Sequence, residues 1–167
     1  MKFSVTFLIA FILFNLGLYA QDNCFPSVYL NDPDTTGTNI REVPKGKILW
    51  TIKASDDDAG IMMDIIEFKT PWLKIQTVNH PKNIFGWIYS ELVAASTRNY
   101  SGEEYMLYEN ANMDSKQVLK FNQEKEVIII DGVCGWSKVK ILNPDKTFVV
   151  GWIENEKLCG SVVTYCN

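Results

Sequence analysis

Few residues in this chain are equipped for chemistry. Its one histidine, His80, stands in an Asn79-His80-Pro81 turn, and four cysteines (Cys24, Cys134, Cys159 and Cys166) are spread along 167 residues. A cysteine nucleophile needs a thiolate with an orienting histidine in hydrogen-bond reach, and no cysteine here sits in such a motif. There is no Gly-x-Ser-x-Gly elbow, no histidine pair spaced for zinc and no phosphate-cradling glycine loop. The tight Cys-x-x-Cys spacing of a zinc site is also missing. Carboxylates are plentiful, but abundance is not a pair held at catalytic distance. Asp56-Asp57-Asp58 lacks the alternating spacing of a calcium loop, so it reads as a solvated turn, as does Asp32-Pro33-Asp34. Asn99-Tyr100-Ser101 is a formal N-glycosylation acceptor, meaningful only in a eukaryotic source. The expectation is a protein that is not an enzyme and takes no cofactor and no metal.

The N-terminus bears on compartment. Lys2 precedes an apolar run from Phe3 to Leu18, and Leu18-Tyr19-Ala20 then puts a small residue before Gln21. This reads as a signal peptide (residues 1–20) cleaved after Ala20. The run falls short of the roughly 20 apolar residues of a permanent anchor, so the expectation is a secreted or periplasmic protein with no stable membrane anchor. Removing residues 1–20 leaves 147 residues and loses only Lys2 among the charges, shifting the net charge from −4 to −5. An acidic chain without a basic stripe is unsuited to nucleic acid. An even cysteine count in an exported chain reads as disulfides, with three connectivities open.

The elements that must position any site are short and repeated. Gly86-Trp87-Ile88 recurs as Gly151-Trp152-Ile153, and Trp72-Leu73-Lys74-Ile75 finds a partner in Trp136-Ser137-Lys138-Val139-Lys140-Ile141. Upstream, Lys47–Ile52 parallels Glu126–Ile130, and Val28-Tyr29-Leu30 parallels Tyr105–Tyr108. Matched elements in one order point to a duplication. The segments are rich in Val, Ile, Trp and Tyr and are bounded by Gly, Pro, Asn and Asp clusters, which predicts strands. No stretch sustains helical periodicity. In this alignment 24 residues separate Ile48 from Trp72 but only 9 separate Val127 from Trp136, placing an insertion of about fifteen residues at 56–70 of the first copy, in the kind of long loop that carries function. The polar, small-residue stretch Ala94–Glu104 supplies a linker, at 95–104 between units 21–94 and 105–167.

An opening strand, Asn39-Ile40-Arg41-x-x-Pro44-x-Gly46, the strand Lys47–Lys53, a Trp-led strand and Gly-Trp-Ile together resemble the bacterial SH3-like domain. The second copy keeps Gly135-Trp136-Ser137-Lys138-Val139 and Gly151-Trp152-Ile153 but has Ser115–Leu119 in place of the Asn-Ile-Arg signature, as a degenerate relative would. The resemblance implies an all-β protein of two tandem SH3-like small β-barrels, of a family found in exported and cell-envelope proteins. It also implies Cys134–Cys159 as the first-choice disulfide, with Cys24–Cys166 tying the chain ends and a local Cys159–Cys166 bridge as the competitor.

Carried over residue by residue, the resemblance implies a peptide groove presenting Tyr29, Trp72 and Tyr89 with Asp32 and Asp34 in the first module. In the second it would present Tyr108 and Trp136, with Glu109 nearby. Trp87 and Trp152, each between Gly and Ile, are expected in the core. Two partners follow: a peptide with a free amine, such as a peptidoglycan stem peptide or an envelope protein segment, or another exported protein, bound or inhibited by docking on the 56–70 insertion or a sheet edge. In a third reading one module has lost its ligand and supports the other.

Overall fold

The computed structural model describes residues 24–34, 36–53 and 60–161. The expected signal peptide and the Asp56–Asp58 cluster lie outside them. The described chain is all-β, and none of its helices is long and apolar enough to cross a membrane.

Its strands are β1 (Ser27–Leu30), β2 (Thr38–Arg41), β3 (Ile48–Ile52), β4 (Met62–Lys69), β5 (Trp72–Thr77), β6 (Phe85–Tyr89) and β7 (Val93–Thr97). They continue as β8 (Tyr105–Tyr108), β9 (Gln117–Phe121), β10 (Glu126–Val133), β11 (Trp136–Leu142), β12 (Phe148–Glu154) and β13 (Leu158–Cys159). A 3-10 turn precedes β7 at Ser90–Leu92 and another precedes β13 at Asn155–Lys157. Alternation makes these segments strands. In β5, Leu73, Ile75 and Thr77 are buried while Trp72 and Lys74 face outward; in β11, Ser137, Val139 and Ile141 are buried while Trp136, Lys138 and Lys140 face outward. One buried and one solvated face is the ordinary economy of an antiparallel sheet.

The strands form one antiparallel hydrogen-bonded path, β3-β2-β6-β5-β4-β1-β7-β10-β11-β12-β8-β9, with β13 also on β7. The order β3-β2-β6-β5-β4-β1-β7 is thus repeated as β9-β8-β12-β11-β10-β7-β13. Bulges repeat as well. One pair falls at Ile40/Arg41 and Leu107/Tyr108, the other at Ile65/Glu67 and Ile129/Asp131. β7 closes the first set and opens the second.

This pairing corrects the alignment drawn from sequence. The counterpart of Tyr105–Tyr108 is β2, not Val28–Leu30, and the counterpart of Glu126–Ile130 is β4, not Lys47–Ile52. β4 and β10 each begin ten residues before their tryptophan, Trp72 or Trp136. Most of the expected 56–70 insertion is therefore strand common to both copies. The excess of the first copy is confined to the β3–β4 connection, residues 53–61 against 122–125. Alternating apolar strands resemble one another, and only the ladder tells them apart. Part of the expected linker is strand too. Ala94 and Ala95 of β7 are fully buried between β1 and β10, a position that calls for small side chains.

The copies are stitched together. Cys24 is disulfide-bonded to Cys134, and its carbonyl accepts from the Gly135 N–H (3.0 Å) and the Asn155 Nδ2 (2.7 Å). Lys140 reaches Glu91 at 2.8 Å, and Phe68 packs where a Gly132 side chain would stand. The expected Cys134–Cys159 and Cys24–Cys166 pairings are overturned: Cys134 lies in the β10–β11 turn beside the N-terminal segment, whereas Cys159, also disulfide-bonded, pairs β13 with β7. The competing local pairing of Cys159 involves Cys166, which lies outside the described residues.

Tyr29 belongs to this junction. Its hydroxyl donates to Glu126 Oε2 at 2.9 Å and lies 3.4 Å from Ser96 Oγ, while Asn31 Nδ2 donates to Glu126 Oε1 at 3.0 Å. Burial, reinforced by the Glu126 carboxylate against the opposing Ser96 hydrogen bond, pushes its pKa from 10.0 up to about 12. The folded protein favours the neutral phenol. Stability tied to it is therefore intact below pH 10 and is lost as pH rises from 10 toward 12. Chemical denaturation at stepped pH is expected to show Tyr29→Phe flattening the stability loss over that window; an unchanged slope would remove Tyr29 as its origin.

Candidate functional site

β5 and β6 carry the aromatic part of the site. Trp72 and Tyr89 are cross-strand partners on the outward face, their rings edge-to-face with centroids 5.7 Å apart. Leu73 and Ile88, one residue along each strand, are fully buried, so the core sets the direction in which the aromatic pair points. The Pro71 carbonyl accepts from the Ser90 N–H at 3.0 Å and ties the strand ends together.

The acidic part comes from the β1–β2 connection. Asp32 accepts from the Asp34 N–H at 2.9 Å and from the Thr38 hydroxyl. Asp34 accepts from the Thr36 N–H at 2.9 Å. Side-chain acceptors closing on backbone N–H groups two residues ahead are the local device by which aspartate shapes a turn. The Thr36 N–H, aided by the Thr36 hydroxyl, holds the exposed Asp34 carboxyl below its ordinary value, so it is charged at neutral pH. Together these elements line a groove of about 370 Å³ that includes Asp32, Asp34, Trp72 and Tyr89.

Four residues expected in a first-module groove thus share one hollow. Tyr29 does not join them: it is 7% exposed and bound to the junction instead. Asn39, Arg41 and Leu92 also line the groove and were not named from sequence as ligand residues. The first two stand in the Asn39-Ile40-Arg41-x-x-Pro44-x-Gly46 motif, which was the available signal. Arg41 donates to the Gly46 carbonyl at 2.8 Å, spanning its hairpin. Two carboxylates against one guanidinium already engaged with a carbonyl leave a groove suited to a cationic group beside aromatic surface.

The second copy is built differently. Tyr108 and Trp136 do come together, ring centroids 5.7 Å apart, but Tyr108 is 6% exposed and its hydroxyl faces Met106 Sδ. Opposite Trp136, where the first copy has Tyr89, stands Glu154. The nearby hollow of about 440 Å³ is lined by Arg98, Glu103, Glu104, Tyr105, Glu156 and Lys157, and neither Tyr108 nor Trp136 is among its walls. No aspartate corresponding to Asp32 or Asp34 stands in its loop, Arg98–Glu104.

Trp87 is buried, as expected of a core residue, whereas Trp152 is only half-buried. Trp87 lies opposite Lys74 and Trp152 opposite Lys138, on the outward face, each with a lysine ammonium over its ring at about 6 Å. Ile88 and Ile153 lie deeper, exposed 0% and 1%. The His80 Nδ1 accepts from the Lys82 N–H at 3.2 Å and its ring sits edge-on to Trp50. Asn99 is buried at 2% exposure, so the folded chain does not present its sequon.

No family model matches the chain, and neither does any curated protein. The solved structure of NlpC1 from Trichomonas vaginalis is similar over 80% of this chain at 13% identity, with a TM-score of 0.31. The chain spans 45% of that structure's length, and a likeness at this level carries no argument about activity.

Proposed function

We propose that this chain is an exported, non-catalytic binding protein of two tandem SH3-like modules, the second degenerate, whose first module recognises an extended peptide bearing a free amine. The peptidoglycan stem peptide is the leading candidate and an envelope protein segment the next. The convergence of Asp32, Asp34, Trp72 and Tyr89 on one groove carries the reading. An ammonium would lie against the carboxylates and an apolar stem against the aromatic pair, the division of labour seen in peptide grooves. The Cys24–Cys134 bridge suits an oxidising compartment. With Glu154 in the place of Tyr89 and no paired aspartates, the second module serves to hold the first.

Retention of the oxidised protein on purified peptidoglycan sacculi tests this. Trp72 is outward and half-buried, so Trp72→Ala should weaken retention about thirtyfold, as an aromatic anchor does, with the circular dichroism unchanged. Asp34→Asn should weaken it less. Retention unaffected by both substitutions would sink the groove assignment, as would unfolding by Trp72→Ala. No retention of the unaltered protein would remove the wall peptide as ligand.

A further inference from the structure

The hydrogen-bonded path ends in β3 on one side and β9 on the other, and these two strands are structural equivalents. Ile48 faces Arg41 as Gln117 faces Tyr108, and Thr51 faces Asn39 as Lys120 faces Met106. A terminal strand leaves a row of backbone N–H and C=O groups open to another chain, and proteins usually blunt it. β9 exposes one apolar side chain, Val118, between the exposed polar Gln117 and Lys120, and Lys120 is paired with Glu104 at 2.7 Å.

β3 exposes two in succession: Ile48 and Leu49 are 43% and 48% exposed. A hollow of about 430 Å³ follows the strand, lined by Ile48, Leu49, Trp50, Thr51 and Lys53. Lys47 is exposed at one end, and the Lys82 ammonium lies 3.8 Å from the Trp50 ring centroid. The ion pairs among the described residues involve Lys74, Lys120, Lys140 and Lys157, not these two.

We infer that β3 is a second binding edge, which adds an extended acidic strand of a partner protein to the sheet. The main chain would supply the hydrogen bonds and alternate apolar side chains would rest on Ile48 and Leu49. Charge selects the occupant. A second copy would bring its own exposed Lys47 and its own Lys82 to the same edge, and like charges across a strand pair are destabilising. A strand with glutamate or aspartate at alternate positions meets Lys47 and Lys82 instead. This edge is separate from the Asp32–Tyr89 groove, so either can fail alone.

The test uses the oxidised protein and two labelled peptides of about ten residues, one alternating valine with glutamate and the other valine with lysine. Binding is followed by fluorescence anisotropy, and hydrogen exchange by NMR. The glutamate peptide is expected to bind saturably and to slow exchange of β3 amides, leaving β9 amides unchanged as an internal control. Lys47→Glu with Lys82→Glu should weaken it about tenfold at low salt. Should that variant fail to fold, Ile48→Gln, which copies the β9 residue, takes its place with loss of binding again expected. No saturable binding up to about 1 mM, equal affinity for the lysine peptide, or protection at β9 or the groove in place of β3 would each overturn the inference.

Discussion

Replacing Cys24 and Cys134 together by serine is expected to lower the free energy of unfolding by about 4 kcal/mol, the scale on which a bridge closing a loop of this size constrains the unfolded chain. The two cysteines are separated by 110 residues. The bridge acts at a junction that is otherwise held by weak, separable contacts. The Cys24 carbonyl takes hydrogen bonds from Gly135 and Asn155, and the Lys140–Glu91 pair is partly exposed. A half-exposed ion pair contributes roughly 0–1 kcal/mol, so these contacts do not replace the covalent link. Urea denaturation of the double variant against the oxidised parent checks this. A loss below about 1 kcal/mol would mean that the shared β7 strand and the Tyr29–Glu126 hydrogen bond already hold the N-terminal segment in place.

The second large effect is expected at the glycines of the Gly-Trp-Ile motif. A Cβ on Gly86 would stand 2.7 Å from Ile40 Cγ2 and 2.8 Å from the Arg41 carbonyl oxygen; on Gly151 it would stand 2.7 Å from Leu107 Cβ and 3.1 Å from the Tyr108 carbonyl oxygen. Both glycines face the crossing strand of their own copy, β2 or β8, at a distance that only a missing side chain permits. Gly86→Val or Gly151→Val must push backbone apart and is expected to cost about 3 kcal/mol, measured as a shift of the denaturation midpoint. Trp87, one residue away on the opposite face, is itself buried at 7% exposure, and Trp87→Ala is expected to cost a comparable amount. A larger loss from Trp87→Ala than from Gly86→Val would mean that the motif is kept for its indole.

Much of this was legible in the residues. Alternation in Trp72–Thr77 and Trp136–Leu142, together with turn clusters such as Asn143-Pro144-Asp145-Lys146, specified strands and hairpins through local rules. Asp32, Asp34, Trp72 and Tyr89 were named, with Tyr29, Tyr108 and Trp136, through the resemblance to the bacterial SH3-like domain. Which face each residue of the Gly-Trp-Ile motif takes was less legible, because adjacent residues of a strand take opposite faces and a one-residue difference reverses the assignment.

By itself, then, the sequence determined the class of fold and the recurrence of Trp-led strands and Gly-Trp-Ile, because these depend on local periodicity and side-chain chemistry. Tertiary structure decided which strands are equivalent, that Val93–Thr97 serves both copies, that Cys24 meets Cys134 across 110 residues, and that Tyr29 spends its hydroxyl on Glu126. It also decided that β3 and β9, alike in position, differ as edges. Each of these depends on which distant segments come to lie side by side. That is set by the summed burial of both copies and by ladder register, neither of which any short stretch of residues encodes alone.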